Sequence, residues 1–80
     1  MVVSSDIQWK YDRNGDVLYL MVGPMAETYE VEDPQCEGLH LRHAIKDNSI
    51  VGAIILWFSL QDRDELRRRL PFDFDPSIVH

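Results

Sequence analysis

Three side chains that commonly bind metal ions, Cys36, His40 and His43, lie close together in the sequence. A thiolate and two imidazoles are zinc ligands, so this spacing suggests a metal site. On a strand, however, positions 40 and 43 have opposite parity and point to opposite faces of the sheet. Zinc also needs a fourth ligand, and no other Cys or His is nearby in the sequence. We therefore predict no metal site and keep a small-molecule or metal-binding domain using the His40/His43 region as the alternative function.

Nucleophilic catalysis has little support in the sequence. Cys36 is surrounded by Glu32, Asp33 and Glu37, and neighbouring anions disfavour the thiolate that a nucleophile requires. No serine occupies a Gly-x-Ser-x-Gly elbow, and the 4 glycines are too scattered to form a phosphate-binding loop. We therefore predict that the protein is not an enzyme and has no cofactor.

Strands must position most of these side chains, because the chain up to Phe58 consists of short apolar or alternating runs between turn residues. The predicted strands are 7–11, 17–22, 27–31, 39–45 and 50–58. The Asn14–Gly15 pair predicts a turn after the first strand, since both residues tolerate positive φ. The runs 17–22 and 50–58 are apolar on both faces, which is typical of central strands.

A helix is expected to follow the strands. Ser59 can cap its start and Pro71 stops it, which predicts a helix over residues 59–70. The sequence thus predicts an α+β fold, a curved antiparallel sheet of four or five strands with one C-terminal helix packed on one face. We expect residues 1–80 to form a single domain, with the sheet at 7–58, the helix at 59–70 and an extended tail at 71–80.

The distribution of apolar residues predicts self-association. One short helix covers at most one sheet face, whereas the strands 17–22 and 50–58 are apolar on both. An uncovered apolar face would be larger than the patches that monomers usually expose. We therefore expect a homodimer, or binding to another protein, through the second sheet face. The residues predicted to form that surface are Leu18, Leu20, Val22, Ile55 and Trp57.

The acidic residues are unevenly placed along the chain. Residues 1–40 contain two basic and eight acidic side chains, whereas residues 41–80 contain six of each, so the net charge of -6 comes from the first half. The predicted partner-binding residues lie in one short segment and are Glu27, Glu30, Glu32, Asp33 and Glu37. Such a segment repels nucleic acid and attracts basic proteins. It is either a docking surface for a basic partner or a solvated strand edge kept soluble by its charge.

The sequence also bears on cellular location. A single cysteine excludes an intramolecular disulfide. The N-terminus lacks the basic start and apolar run of a secretory signal, and no uncharged stretch is long enough to span a membrane. We therefore expect a cytoplasmic protein without membrane contact.

Two segments resemble the family of domains of unknown function numbered 2283. The first is residues 9–20, which is similar to the family's opening "x-YD-xxx-D-x-LYI" pattern. The matching residues are Tyr11, Asp12, Asp16, Leu18, Tyr19 and Leu20. The second is residues 50–56, which is similar to the family's "LVGIEIL" block, with Ile54 in place of its frequent glutamate. The resemblance extends over roughly residues 7–70 and departs from the family at Arg13 and Asn14, where a Pro-containing turn is commoner.

The resemblance implies a small prokaryotic protein with a curved antiparallel sheet and a C-terminal helix. The family has no established activity, so no functional residues are implied. Some members resemble the antitoxin half of toxin–antitoxin pairs, beside a small basic RNA-cleaving toxin. Together with the acidic segment, this leads us to expect a non-enzymatic protein-interaction module, in a narrower version an antitoxin-like neutraliser of a small basic partner.

Overall fold

The computed structural model describes residues 7–79, which contain five strands followed by one α-helix. The strands are β1 (Ile7–Asp12), β2 (Val17–Val22), β3 (Thr28–Glu32), β4 (Leu39–Ala44) and β5 (Ile50–Ile55), and the helix is α1 (Arg63–Arg69). Two short 3₁₀ turns, Phe58–Leu60 and Pro76–Ile78, flank the helix. The strands form one open antiparallel sheet, which confirms the predicted α+β fold with a C-terminal helix.

The last strand, β5, occupies the centre of the sheet, whose strand order is β1-β2-β5-β4-β3. It pairs with β2 on one side and β4 on the other, so the most apolar segment of the sequence is central, as predicted. Gly52 allows β2 to approach closely, because a Cβ atom at this position would lie 2.4 Å from the carbonyl oxygen of Leu20. The strand ends at Ile55 and not at Phe58, because Trp57 adopts a φ of 51° and turns the chain away.

One face of the sheet is covered by the C-terminal part of the chain, and we call it the covered face. It contributes Leu18, Leu20, Leu39, Ala53 and Ile55, all at most 1% exposed. The residues that pack on it are Phe58, Leu66, Leu70, Phe74 and Val79. The tail that begins at residue 71 therefore contributes side chains to the hydrophobic core.

The helix begins later than the sequence predicts. Its N-cap is Asp62, whose side chain accepts a hydrogen bond from the Glu65 amide at 2.9 Å. Ser59 lies in the preceding 3₁₀ turn, where its hydroxyl and amide donate to Asp16 instead. The prediction of a helix over 59–70 was therefore wrong at its start. Leu60, inside the range predicted to be helical, lies in the 3₁₀ turn and is 83% exposed.

Candidate interaction surface

The residues of the alternative metal- or small-molecule-binding region do not converge. On one face of the sheet, the His40 Nε2 atom lies 4.0 Å from Oε2 of Glu32. On the other, His43 stacks on the ring of Tyr29 at 5.2 Å, and its Nδ1 lies 3.1 Å from the Asn48 carbonyl oxygen. Over residues 7–79, no three His, Cys, Asp or Glu side chains are grouped so that they could hold a metal ion. The His40/His43 region therefore provides no shared ligand site.

Cys36 is a buried free thiol. Burial raises the pKa of this thiol, and the nearby carboxylates of Asp33 and Glu65 raise it further, against the opposing effect of Arg69. Its Sγ atom lies 4.0 Å from Oε1 of Gln61, at the limit of a sulfur hydrogen bond. A protonated, buried thiol fills space in the core and is a poor nucleophile.

The acidic segment lies on and around β3, an edge strand of the sheet. Four of its five residues, Glu27, Glu30, Glu32 and Glu37, are exposed. The fifth, Asp33, is half-buried because Nη1 of Arg69 in α1 lies 3.5 Å from its Oδ2 atom. Its other oxygen accepts the Gln35 amide at 2.8 Å. Asp33 therefore fastens the β3–β4 loop to the helix and does not belong to an exposed docking surface.

The outer edge of β3 has backbone groups that point away from the sheet. The Asp33 amide donates to the Leu39 carbonyl at 2.8 Å, and the Ile45 amide donates to the Glu27 carbonyl at 3.0 Å. Hydrogen-bonded pairs alternate along an antiparallel ladder, so in this register residues 29 and 31 bond to β4. The N–H and C=O groups of Thr28, Glu30 and Glu32 consequently face outward, where another strand could pair with them.

The two sides of this edge strand differ in chemistry. The Thr28, Glu30 and Glu32 side chains lie on one side of β3, and Tyr29 and Val31 lie on the other. Tyr29 and Val31 are 40% and 48% exposed, although both are large apolar side chains. The free edge is therefore acidic on one side and apolar on the other.

No helix or strand among residues 7–79 packs on the sheet face opposite the core, and we call it the open face. Its side chains alternate with those of the core and form two rows across the strands. The first row is Lys10, Tyr19, Ile54, His40 and Glu32, and the second is Gln8, Met21, Gly52, Arg42 and Glu30. The rows are basic or polar at β1, mostly apolar at β2 and β5, and acidic at β3. At β4 they carry His40 and Arg42, and the Arg42 guanidinium donates to the Thr28 hydroxyl.

The predicted self-association residues do not lie on the open face. Leu18, Leu20 and Ile55 are buried in the core, so the prediction that they form the uncovered surface was wrong. Val22 is half-buried and shares their side of β2. The cause is that the helix and tail together cover this face, whereas alternation alone defines two sets of residues without saying which set is covered.

Trp57 is the exception among these residues, because it is 47% exposed at the turn after β5. Left-handed backbone is unfavourable for a bulky side chain, so neighbouring contacts must hold its φ of 51°. The Gln61 amide group does this by donating to the carbonyls of Glu37 and Leu56 at 2.8 and 3.1 Å. Gly38 leaves room for the ring, since a Cβ atom there would lie 3.0 Å from Trp57 Cε3. The exposed indole is thus rigidly presented.

A second hydrogen-bonded cluster centres on Asp16, which the sequence did not single out as a site residue. Oδ1 accepts the Tyr11 hydroxyl at 2.6 Å and the Ser59 amide at 2.9 Å, and Oδ2 accepts the Ser59 hydroxyl at 2.6 Å. The bonds from Ser59, followed by that from Tyr11, hold the pKa of the Asp16 carboxyl below its usual value. The same bond raises the pKa of Tyr11. The cluster fastens the β1–β2 turn to the segment after β5, so two residues of the family-like motif have a structural role here.

No family model, curated protein or solved structure matches the chain. The resemblance to the family numbered 2283 therefore stays a prediction. Among the described residues there is also no helix whose length and apolar character would let it cross a membrane.

Proposed function

We propose that the chain is a non-enzymatic protein-interaction module that binds an extended basic segment of a partner along β3. The observation that supports this most directly is the outer edge of β3, which pairs with no other strand among residues 7–79 and has outward-facing backbone groups at Thr28, Glu30 and Glu32. An extended peptide can add to such an edge as a further strand. Main-chain hydrogen bonds then supply affinity, and alternate side chains supply specificity.

The side chains of β3 define the chemistry of this partner. A strand added beside β3 would place alternate residues next to Glu30 and Glu32, where lysine or arginine gains from the opposite charge. The residues between them would lie beside Tyr29 and Val31, where apolar side chains remove exposed surface from water. The expected partner segment therefore alternates basic and apolar residues. Nucleic acid is disfavoured, because phosphates would be repelled by the same carboxylates.

The narrower version of this proposal is an antitoxin-like neutraliser of a small basic protein. It combines the acidic β3 edge with the family resemblance, in which some members accompany a basic toxin. A non-enzymatic role also fits the chemistry of the best candidate nucleophile and base. The Cys36 thiol is buried with a raised pKa, and the Asp16 carboxylate is occupied by three hydrogen bonds within the fold.

We also propose a cytoplasmic setting, in which the lone thiol of Cys36 stays reduced. The expected homodimer remains a proposal too. It cannot use Leu18, Leu20 and Ile55 unless the core opens, so it needs a different surface.

The experiment uses a synthetic peptide of alternating lysine and valine as the probe, with a glutamate–valine peptide as its control. In a titration followed by NMR, only the lysine peptide should shift the amide signals of Thr28, Glu30 and Glu32 and protect these amides from exchange.

Two substitutions at position 30 then distinguish the contribution of the backbone hydrogen bond to binding from that of the side-chain charge. Glu30→Pro removes an outward-facing N–H while sparing the ladder to β4, and should abolish binding. Glu30→Gln keeps the N–H and should weaken binding only several-fold. Unchanged binding by Glu30→Pro, or shifts confined to another surface, would refute the proposal.

A further inference from the structure

We infer that the open face binds the open face of a second copy of this chain, about a twofold axis parallel to β5. This inference uses the side chains of the sheet face, whereas the peptide binding proposed above uses the outward backbone groups of β3. Glu32 belongs to both surfaces, and Lys10 belongs only to the face. The starting point is the row of side chains that the strand register aligns across the sheet, namely Lys10, Tyr19, Ile54, His40 and Glu32.

The charges at the two ends of this row are opposite. Lys10 is exposed and has no ion pair within residues 7–79. Glu32, at the other end, accepts the Gly38 amide at 3.1 Å and lies 4.0 Å from His40. Both contacts use its Oε2 atom, which leaves Oε1 able to accept from a second molecule. A face with one basic and one acidic edge is complementary to itself when one copy is reversed.

The twofold axis determines which residues meet. Rotation about an axis parallel to β5 places β1 over β3 of the second copy, β2 over β4, and β5 over its own counterpart. Lys10 then faces Glu32 of the second copy, and Ile54 faces Ile54. An axis perpendicular to the strands would instead place β1 over β1, with lysine against lysine and glutamate against glutamate. Electrostatics therefore selects the parallel axis.

The centre of the face is suited to burial. Tyr19 is 40% exposed, and its neighbour across the ladder, Ile54, is half-buried, with no helix or strand of residues 7–79 packed over it. In the dimer Tyr19 lies over His40 of the second copy, where two planar rings can stack. Gly52 adds no side chain to the second row, so nothing at the middle of β5 holds the two sheets apart.

The size of the face sets the expected affinity. Five strands spaced about 4.8 Å apart and about 20 Å long give roughly 400 Å² of planar surface on each copy. Side chains that project from the face add to this planar area, but the total buried area still lies at the low end of the range for specific interfaces. We therefore expect a reversible dimer, with a dissociation constant in the micromolar range or weaker, and an affinity that falls as salt screens the end pairs.

Sedimentation equilibrium of the full chain, from about 10 µM to about 1 mM, tests the dimer. Wild type should shift from a 9.4 kDa monomer toward twice that mass. Lys10→Glu and Glu32→Lys each place like charges together twice in every dimer, and each should raise the dissociation constant about tenfold or more. The double variant restores opposite charges and should recover most of the wild-type affinity. Lys46→Glu makes the same charge change on an exposed turn residue away from the face, and should dimerise as wild type does.

A wild-type monomer at the highest concentration would overturn the inference. So would dimers that are unaffected by Lys10→Glu, or single variants that dissociate without recovery in the double variant. Circular dichroism confirms that each variant is folded. The two proposals fail separately, because Lys10 lies on β1, at the opposite edge from β3. Lys10→Glu should therefore weaken dimerisation while leaving binding of the lysine–valine peptide unchanged.

Discussion

The two faces of the sheet are made by the same strands but have different chemistry. The covered face is aliphatic and excludes water, with Leu18, Leu39 and Ile55 fully buried. The open face carries Lys10 and two glutamates at its margins, Tyr19 and Ile54 near its middle, and Arg42 on β4 beside the central strand. Adjacent residues of one strand therefore have different roles, since one stabilises the fold and the next is available to a partner. The predictions below test this difference, beginning with the largest expected effect.

Ile55 and Ile54 give the most direct comparison, because they are neighbours in β5 on opposite faces. Ile55→Ala removes buried aliphatic volume from the core and should destabilise the fold by about 3–4 kcal/mol. Ile54→Ala changes the half-buried open face and should cost about 1 kcal/mol or less at concentrations where the chain is monomeric. Urea unfolding measures both. Equal decreases in the free energy of unfolding for the two variants would contradict the distinction between a covered and an open face.

The C-terminal tail contributes some of the residues that pack on the covered face, and substitution of Val79 tests this contribution. The Val79 side chain is 5% exposed, although it lies next to the last residue of the sequence. Val79→Ala should cost about 2 kcal/mol, through lost burial and a small cavity. Ile78→Ala, at a neighbouring residue that is 47% exposed, is the matched control and should change stability by less than about 0.5 kcal/mol. If the two variants unfold alike, the tail does not belong to the core.

Asp16 joins the β1–β2 turn to the segment after β5, which leads to the residues that pack on the covered face. Because its pKa is lowered in the folded state, its stabilising effect is complete above the unfolded pKa and is lost as pH falls through the folded pKa. Asp16→Asn should lower the melting temperature by several degrees near neutral pH. Wild type should lose further melting temperature below about pH 4, and Asp16→Asn should show a smaller decrease over the same pH range. Thermal melts from neutral to acidic pH measure both effects.

Asp73→Asn provides the control for the amide substitution, because Asp73 is exposed and has no hydrogen-bonding or ion-pair contact in the described part of the chain. It should leave the melting temperature near neutral pH unchanged. Parallel pH profiles for wild type and Asp16→Asn would show that the cluster does not stabilise the fold through its charge.

Trp57 lies beyond β5, outside both rows of the open face, and its substitution should affect stability less than the changes to Ile55, Val79 and Asp16 do. Trp57→Asn places a residue that tolerates left-handed backbone at the φ of 51°. Relief of that strain should offset the lost ring contacts, leaving the unfolding free energy within about 1 kcal/mol of wild type. A loss above about 2 kcal/mol would mean that the indole is mainly a packing residue, despite its exposure.

Alternation and turn residues were sufficient to predict the strands. The pattern at 17–22 matches β2, and the apolar run at 50–58 correctly placed β5 at the centre of the sheet. Alternation could not say which face is covered, because Leu18 and Leu20 on one side of β2 and Tyr19 and Met21 on the other are all apolar. The deciding residues, Phe74 and Val79, lie in a tail with no periodic signal.

The helix start and the Asp16 cluster were missed because they depend on contacts distant in sequence. Ser59 and Asp62 are both good caps by residue type, and the contact with Asp16, 43 residues away, removes Ser59 from that role. Four residues of the acidic segment are exposed, whereas Asp33 is half-buried and lies beside Arg69 in the helix. Local patterns contain no information about either pairing.

The central position of β5 also has a consequence for the order of folding as the chain is synthesised. The β1–β2 and β3–β4 hairpins are local in sequence, yet neither pairs with the other until β5 enters between them. A nascent chain can therefore hold two separate hairpins with their aliphatic sides exposed to water until residues 50–55 leave the ribosome. The core closes later still, once Phe74 and Val79 have also left the ribosome and can pack on the sheet.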